Sequence, residues 1–136
     1  MKSLRILAAT AAVIGLAACN SSPKTPPPSS SSGKSASLRS MEQVAIAAHK
    51  CWFASKDPAF KKYQMANELN NFGGTPRFLL VPAKQYGARP LLVVQAQGNS
   101  SQVQVFGPLM SEALGARIGS DINRWRTGDS SCGAAA

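Results

Sequence analysis

Three cysteines, one histidine and six carboxylates are the groups through which this 136-residue chain would carry out covalent, acid–base or metal chemistry. Cys19, Cys51 and Cys132 stand too far apart for a C-x-x-C metal or redox motif, which leaves a disulfide, a dispersed metal site or a role outside the fold. His49 is two residues from Cys51. On a helix that spacing sets the two side chains about 200° apart, so they form no local Cys-His dyad. Asp57, Glu68, Glu112, Asp121 and Asp129 are scattered singly, with no pairing in sequence of the kind a glycosidase brings together. There is no G-x-S-x-G elbow, no His pair and no Asp-rich calcium loop, and Gly73-Gly74 lacks the spacing and Lys of a phosphate-binding loop. The expectation is therefore a non-enzymatic protein with no metal and no cofactor.

The basic residues are the second candidate group. Fifteen Lys and Arg against six Asp and Glu give a net charge of +9, although charged residues are only 15% of the chain. The excess comes from scarce acids more than from dense bases. Lys61 and Lys62 are adjacent, while Arg117, Arg124 and Arg126 share one C-terminal segment. Two readings compete for these five residues. One is an anion-binding face; the other is a solvated surface partly neutralised by Asp121, which stands four residues after Arg117 and three before Arg124.

The N-terminus narrows the choice of anion. Lys2 and Arg5 precede an apolar run, Ile6 to Ala18, which at thirteen residues is short for a bilayer core of about 30 Å. That run ends in Leu16-Ala17-Ala18-Cys19, and here the chain resembles the bacterial lipoprotein family, whose lipobox is a Leu, two small residues and a Cys. The resemblance covers residues 1–20 only. It implies that residues 1–18 are a cleaved signal peptide and that Cys19 carries a diacylglyceryl thioether with an acylated amine, two or more chains making a stable anchor. In that family an Asp after the Cys favours retention in the inner membrane. Asn20 occupies the position here, which implies an outer-membrane destination within the bacterial cell envelope. Nucleic acid is then the wrong anion; an anionic envelope polymer or another envelope protein is the expected partner, beside the membrane reached through Cys19.

Assigning Cys19 to lipid leaves two cysteines in an oxidising compartment, and the expected pair is Cys51 with Cys132. The alternative is one buried free thiol and one exposed reactive one. A bridge closing a loop of about 80 residues would stabilise the fold by roughly 4 kcal/mol in the chain-entropy model.

These groups need a scaffold, and the patterning supplies one. Residues 19–37 comprise the lipidated Cys and a Pro- and Ser-rich tether with no anchoring apolar side chain; 38–132 read as one domain, and 133–136 as a disordered tail. Ser40-Met41-Glu42-Gln43 has the form of a capping box opening a helix to about Phe53, with Met41, Val44, Ala45, Ala48, Cys51 and Trp52 on one stripe. The segment from Phe60 to Asn70 is ambiguous between strand and helix, and its alternation favours a strand. Arg77–Val81, Leu91–Gln97 and Gln102–Phe106 read as strands of an antiparallel meander. A second helix begins near Ser111 or Glu112, lines Leu114, Ile118, Ile122 and Trp125 along one face, and ends at Gly128. Two helices with one apolar face each, on one face of an antiparallel sheet of three to four strands, make a small α+β two-layer sandwich. The expected function is that of a lipid-anchored, periplasm-facing binding or assembly accessory; a small envelope hydrolase, or an inhibitor of a periplasmic enzyme, is the alternative.

Overall fold

A computed structural model describes residues 33–133. Residues 1–18, expected to be a signal peptide, Cys19, most of the expected tether and residues 134–136 lie outside the described residues. The domain is α+β: helices α1 (Ala36–Ala48) and α2 (Gly115–Arg126) accompany strands β1 (Tyr63–Glu68), β2 (Arg77–Pro82), β3 (Leu92–Ala96) and β4 (Val103–Phe106). The sheet order is β1-β2-β3-β4 and every pairing is antiparallel, a simple meander. The strand reading of the ambiguous segment holds, since β1 occupies its centre.

The core lies between the helices and one face of the sheet. Phe78 and Leu80 from β2, with Leu92, Val94 and Ala96 from β3, meet Met41, Val44 and Ala48 of α1 and Ile118, Ile122 and Trp125 of α2 in one cluster. Strand alternation supplies one wall of that cluster and helical periodicity the other. The helices run antiparallel: Gln43, midway along α1, donates from Nε2 to the Trp125 carbonyl at the end of α2, while Arg117 near the start of α2 reaches Asp57 beyond the end of α1.

α2 starts at Gly115 rather than near Ser111 or Glu112, because a 3-10 turn occupies Pro108–Ser111 before it, and two features around α1 also depart from the sequence expectation. The first is where α1 begins, which is at Ala36 rather than after Ser40. Ser35 is the N-cap, its hydroxyl accepting from the Leu38 N–H at 3.1 Å. Contacts distant in sequence fix that start: Ser37 Oγ, fully buried, donates to the Gly98 carbonyl at 2.5 Å, and the Ala36 N–H donates to Asn99 Oδ1 at 3.1 Å. The last residues assigned to the tether thus belong to the fold. The second is a π-helical segment, His49–Ala54, that follows α1 directly, with the Ser55 N–H donating to the Lys50 carbonyl. Cys51 and Trp52 within it are both buried, as their place on the apolar stripe predicts.

Between β4 and α2 the chain makes a short 3-10 turn, Pro108–Ser111, which sits tightly on β3. Gly107 opens it at φ 132°, and a Cβ there would stand 2.5 Å from the Leu91 carbonyl oxygen, so only glycine fits. Leu109 then donates its N–H to that same oxygen and buries its side chain in the core. Gly128, at φ 100°, turns the chain out of α2 toward Cys132.

Candidate functional site

The residues marked by sequence as chemical candidates separate into a buried clasp and an exposed rim. Cys51, within the π segment, is joined to Cys132 with Cα atoms 5.3 Å apart and a sequence separation of 81. Neither is a free thiol. Beside the bridge, Asp121 on α2 is 2% exposed, accepts two hydrogen bonds and faces a second arginine. Trp52 Nε1 donates to its Oδ2 at 2.8 Å and Arg124 Nη2 donates to its Oδ1, while Arg117 Nε stands 3.7 Å from Oδ2. A carboxylate so deeply buried is tolerable only with such partners.

Arg117 does more than balance Asp121. Its Nη2 donates to Asp57 Oδ2, and its guanidinium lies 5.4 Å from the centre of the Phe60 ring. Phe60 stacks on Trp52 at 4.5 Å, and Trp52 meets Trp125 at 5.0 Å, so ring packing and charge pairing close the same end of the domain. Arg124 Nε and Trp125 Nε1 both donate to the Ser131 carbonyl, holding the tail beside Cys132. Both tryptophans are core residues, as their stripes predict.

The five basic residues, for which an anion-binding face and a partly neutralised surface are the two readings, lie along α2 and just before β1. Arg117 and Arg124, with side chains 15% and 21% exposed, are held by Asp57 and Asp121. Arg126 is exposed at the end of α2, where its Nε donates to Asn123. Lys61 and Lys62 are exposed at the start of β1, Lys62 sharing a shallow hollow with Tyr63 and Arg117. Most carboxylates are likewise engaged: Glu42 with Lys34, Glu68 with Arg77, Asp57 and Asp121 as above. Among the described residues no three His, Cys, Asp or Glu side chains are grouped as a metal ion requires, and no helix is long and apolar enough to cross a membrane.

The Arg117 hydrogen bond holds the Asp57 carboxyl below its ordinary value of 3.8; burial opposes this, and the Ala59 N–H reinforces it. A depressed folded-state value means the stabilisation is fully present above about 3.8 and is lost as pH falls through the folded value. Urea unfolding at pH 5, 4, 3 and 2 should therefore show stability falling more steeply for the native chain than for Asp57→Asn. Equal slopes would show that this pair contributes nothing to acid sensitivity.

Sequence reasoning missed a groove on the far flank of α1. Ala45, Ile46 and His49 form one wall and Met65, Asn67 and Leu69 the other, with the Lys34–Glu42 ion pair at its edge; its volume is about 540 Å³. Ile46 is 69% exposed. The available sign was that Ile46 is an apolar residue lying off the buried stripe of its own helix.

The fold and site define a small disulfide-closed α+β domain with a buried Trp–Asp–Arg clasp. In comparisons with protein-family models, curated proteins and solved structures, no match to this chain was found.

Proposed function

We propose that the chain is a non-enzymatic, lipid-anchored lipoprotein of the bacterial cell envelope, destined for the outer membrane, whose domain serves as a periplasm-facing binding or assembly accessory. The observation that carries this reading is the Cys51–Cys132 bridge. It pairs the two cysteines of the folded domain, as an oxidising compartment favours, and leaves Cys19 of the lipobox-like tetrapeptide outside that pair. Lipidation gives the remaining sulfur a purpose that neither the core nor the sheet supplies. The non-enzymatic part is supported by how the reactive side chains are used. Asp57, Asp121, Arg117 and Arg124 neutralise one another within the fold, and the one histidine lies exposed on the groove wall.

The test is metabolic labelling of the chain in a bacterial host with an alkyne-bearing fatty acid. The native sequence should take up label and fractionate with the outer membrane; Cys19→Ala should lose at least nine-tenths of the label and accumulate as precursor. Label persisting on Cys19→Ala would refute the anchor.

A further inference from the structure

β1 is the first strand of the sheet, so one of its edges has no strand partner among the described residues. The phase of that edge follows from a single hydrogen bond. The Ala83 N–H donates to the Lys62 carbonyl at 2.8 Å, and the β1–β2 register continues from it as Tyr63↔Pro82 to Glu68↔Arg77. Lys62, Gln64, Ala66 and Glu68 therefore exchange bonds with β2, whereas Tyr63, Met65 and Asn67 turn their backbone N–H and C=O groups outward. By the same alternation these three residues project their side chains to the helix-covered face. There Met65 and Asn67 form the strand wall of the groove whose helix wall is Ala45, Ile46 and His49. An open row of backbone donors and acceptors thus runs beside an open apolar trough.

Charge distinguishes the two ends of this edge. At the start of β1, Lys56 and Lys61 line a second hollow of about 550 Å³ next to Tyr63, and Lys62 is exposed beside them. None of the three lysines has an ion-pair partner among the described residues. At the other end the Lys34–Glu42 pair is internally balanced.

We propose that the β1 edge receives an extended segment of a partner protein as a fifth strand, with apolar side chains at alternate positions in the groove and acidic residues over Lys56, Lys61 and Lys62. Only another extended backbone offers N–H and C=O groups at the strand repeat, which a polysaccharide or a lipid headgroup does not. The segment does not come from this chain. Among its strands the one acidic residue is Glu68, already paired with Arg77, and the tether has no acidic residue and a run of prolines that lack the N–H. The inference specifies the partner of the accessory role proposed above and rests on that reading. Fatty-acid labelling tests the anchor, and peptide binding in vitro tests the edge, so each fails separately.

The experiment is selection of displayed random dodecapeptides on the full chain in detergent micelles, followed by fluorescence anisotropy with an enriched peptide. Enriched sequences should alternate apolar and polar residues and carry Asp or Glu toward one end. N-methylation of alternate peptide amides should weaken binding at least tenfold. Asn67→Pro should do the same, because it removes an outward N–H without touching the β1–β2 ladder, while Asn67→Ala should stay within threefold. Ile46→Asp, at an exposed helix position, gives a second variant independent of the strand and should also lose at least tenfold. No enrichment, enriched peptides without alternation, or binding indifferent to N-methylation and to Ile46→Asp would each overturn the proposal. So would dimerisation of the chain through this edge, seen in sedimentation and abolished by Ile46→Asp.

Discussion

Replacing Cys132 with Ala will lower the unfolding free energy by about 4 kcal/mol, read from urea unfolding followed by tryptophan fluorescence. The 81-residue separation makes the bridge effective, because its removal returns nearly the whole loop entropy of the domain to the unfolded chain. Cys132 is the better of the two positions to change. It is exposed, so the substitution creates no cavity, while Cys51 remains behind as a small buried hydrophobe. A secondary loss follows from the tail, whose Ser131 carbonyl accepts from Arg124 Nε and Trp125 Nε1. Once unbridged, residues 129–133 have only those hydrogen bonds to the rest of the described domain. The denaturant slope should rise, since an uncrosslinked unfolded chain exposes more surface. Dithiothreitol on the native chain should reproduce the shift. A change below about 1 kcal/mol would show that the cross-link does not limit the unfolded ensemble.

Core and meander were legible because they follow from periodicity alone. Met41, Val44, Ala45, Ala48, Cys51 and Trp52 are all buried as their spacing predicts, and so are Ile118, Ile122 and Trp125. The misread features depend on partners far away in sequence. Ser40 looked like a cap, but the helix start is set by Ser37 and Ala36 meeting Gly98 and Asn99, more than sixty positions on. The π segment leaves no mark in a period-3.6 pattern, although the residues it buries, Cys51 and Trp52, are the ones that pattern places inward. The basic residues illustrate the same division. Pairing of Asp121 with Arg117 and Arg124 is a spacing rule visible in the chain, whereas the capture of Arg117 by Asp57 required the fold. The groove was visible only as Ile46 out of place on its helix, and the free edge of β1 only once the strand order was known.

Asp121→Ala will destabilise the domain by about 3–5 kcal/mol, the range for breaking a buried ion pair from one side. The loss has two sources. Trp52 Nε1, in a fully buried ring, is left without an acceptor, and Arg124 loses its carboxylate while remaining largely covered. Arg117 is less affected, since Asp57 still holds it. Asp121→Asn separates charge from hydrogen bonding: its side-chain oxygen still accepts from Trp52, so any loss it shares with Asp121→Ala reports the charge. Arg124→Met should cost less than either, about 1–2 kcal/mol, because its side chain reaches solvent and its alkyl stem keeps its packing. Pairing Arg124→Met with Asp121→Asn should cost less than the sum of the two, because the second change removes the carboxylate that the first leaves stranded. For a domain whose total stability is of order 5–15 kcal/mol, Asp121→Ala removes a large share. Its effect should also be confined to stability. The clasp joins α2 to the π segment after α1 and the Phe60 turn, whereas the groove lies along the flank of α1 that carries Ile46. Folded Asp121→Asn should bind groove peptides within twofold of the native chain; a tenfold loss would mean that the clasp sets the position of α1 against β1.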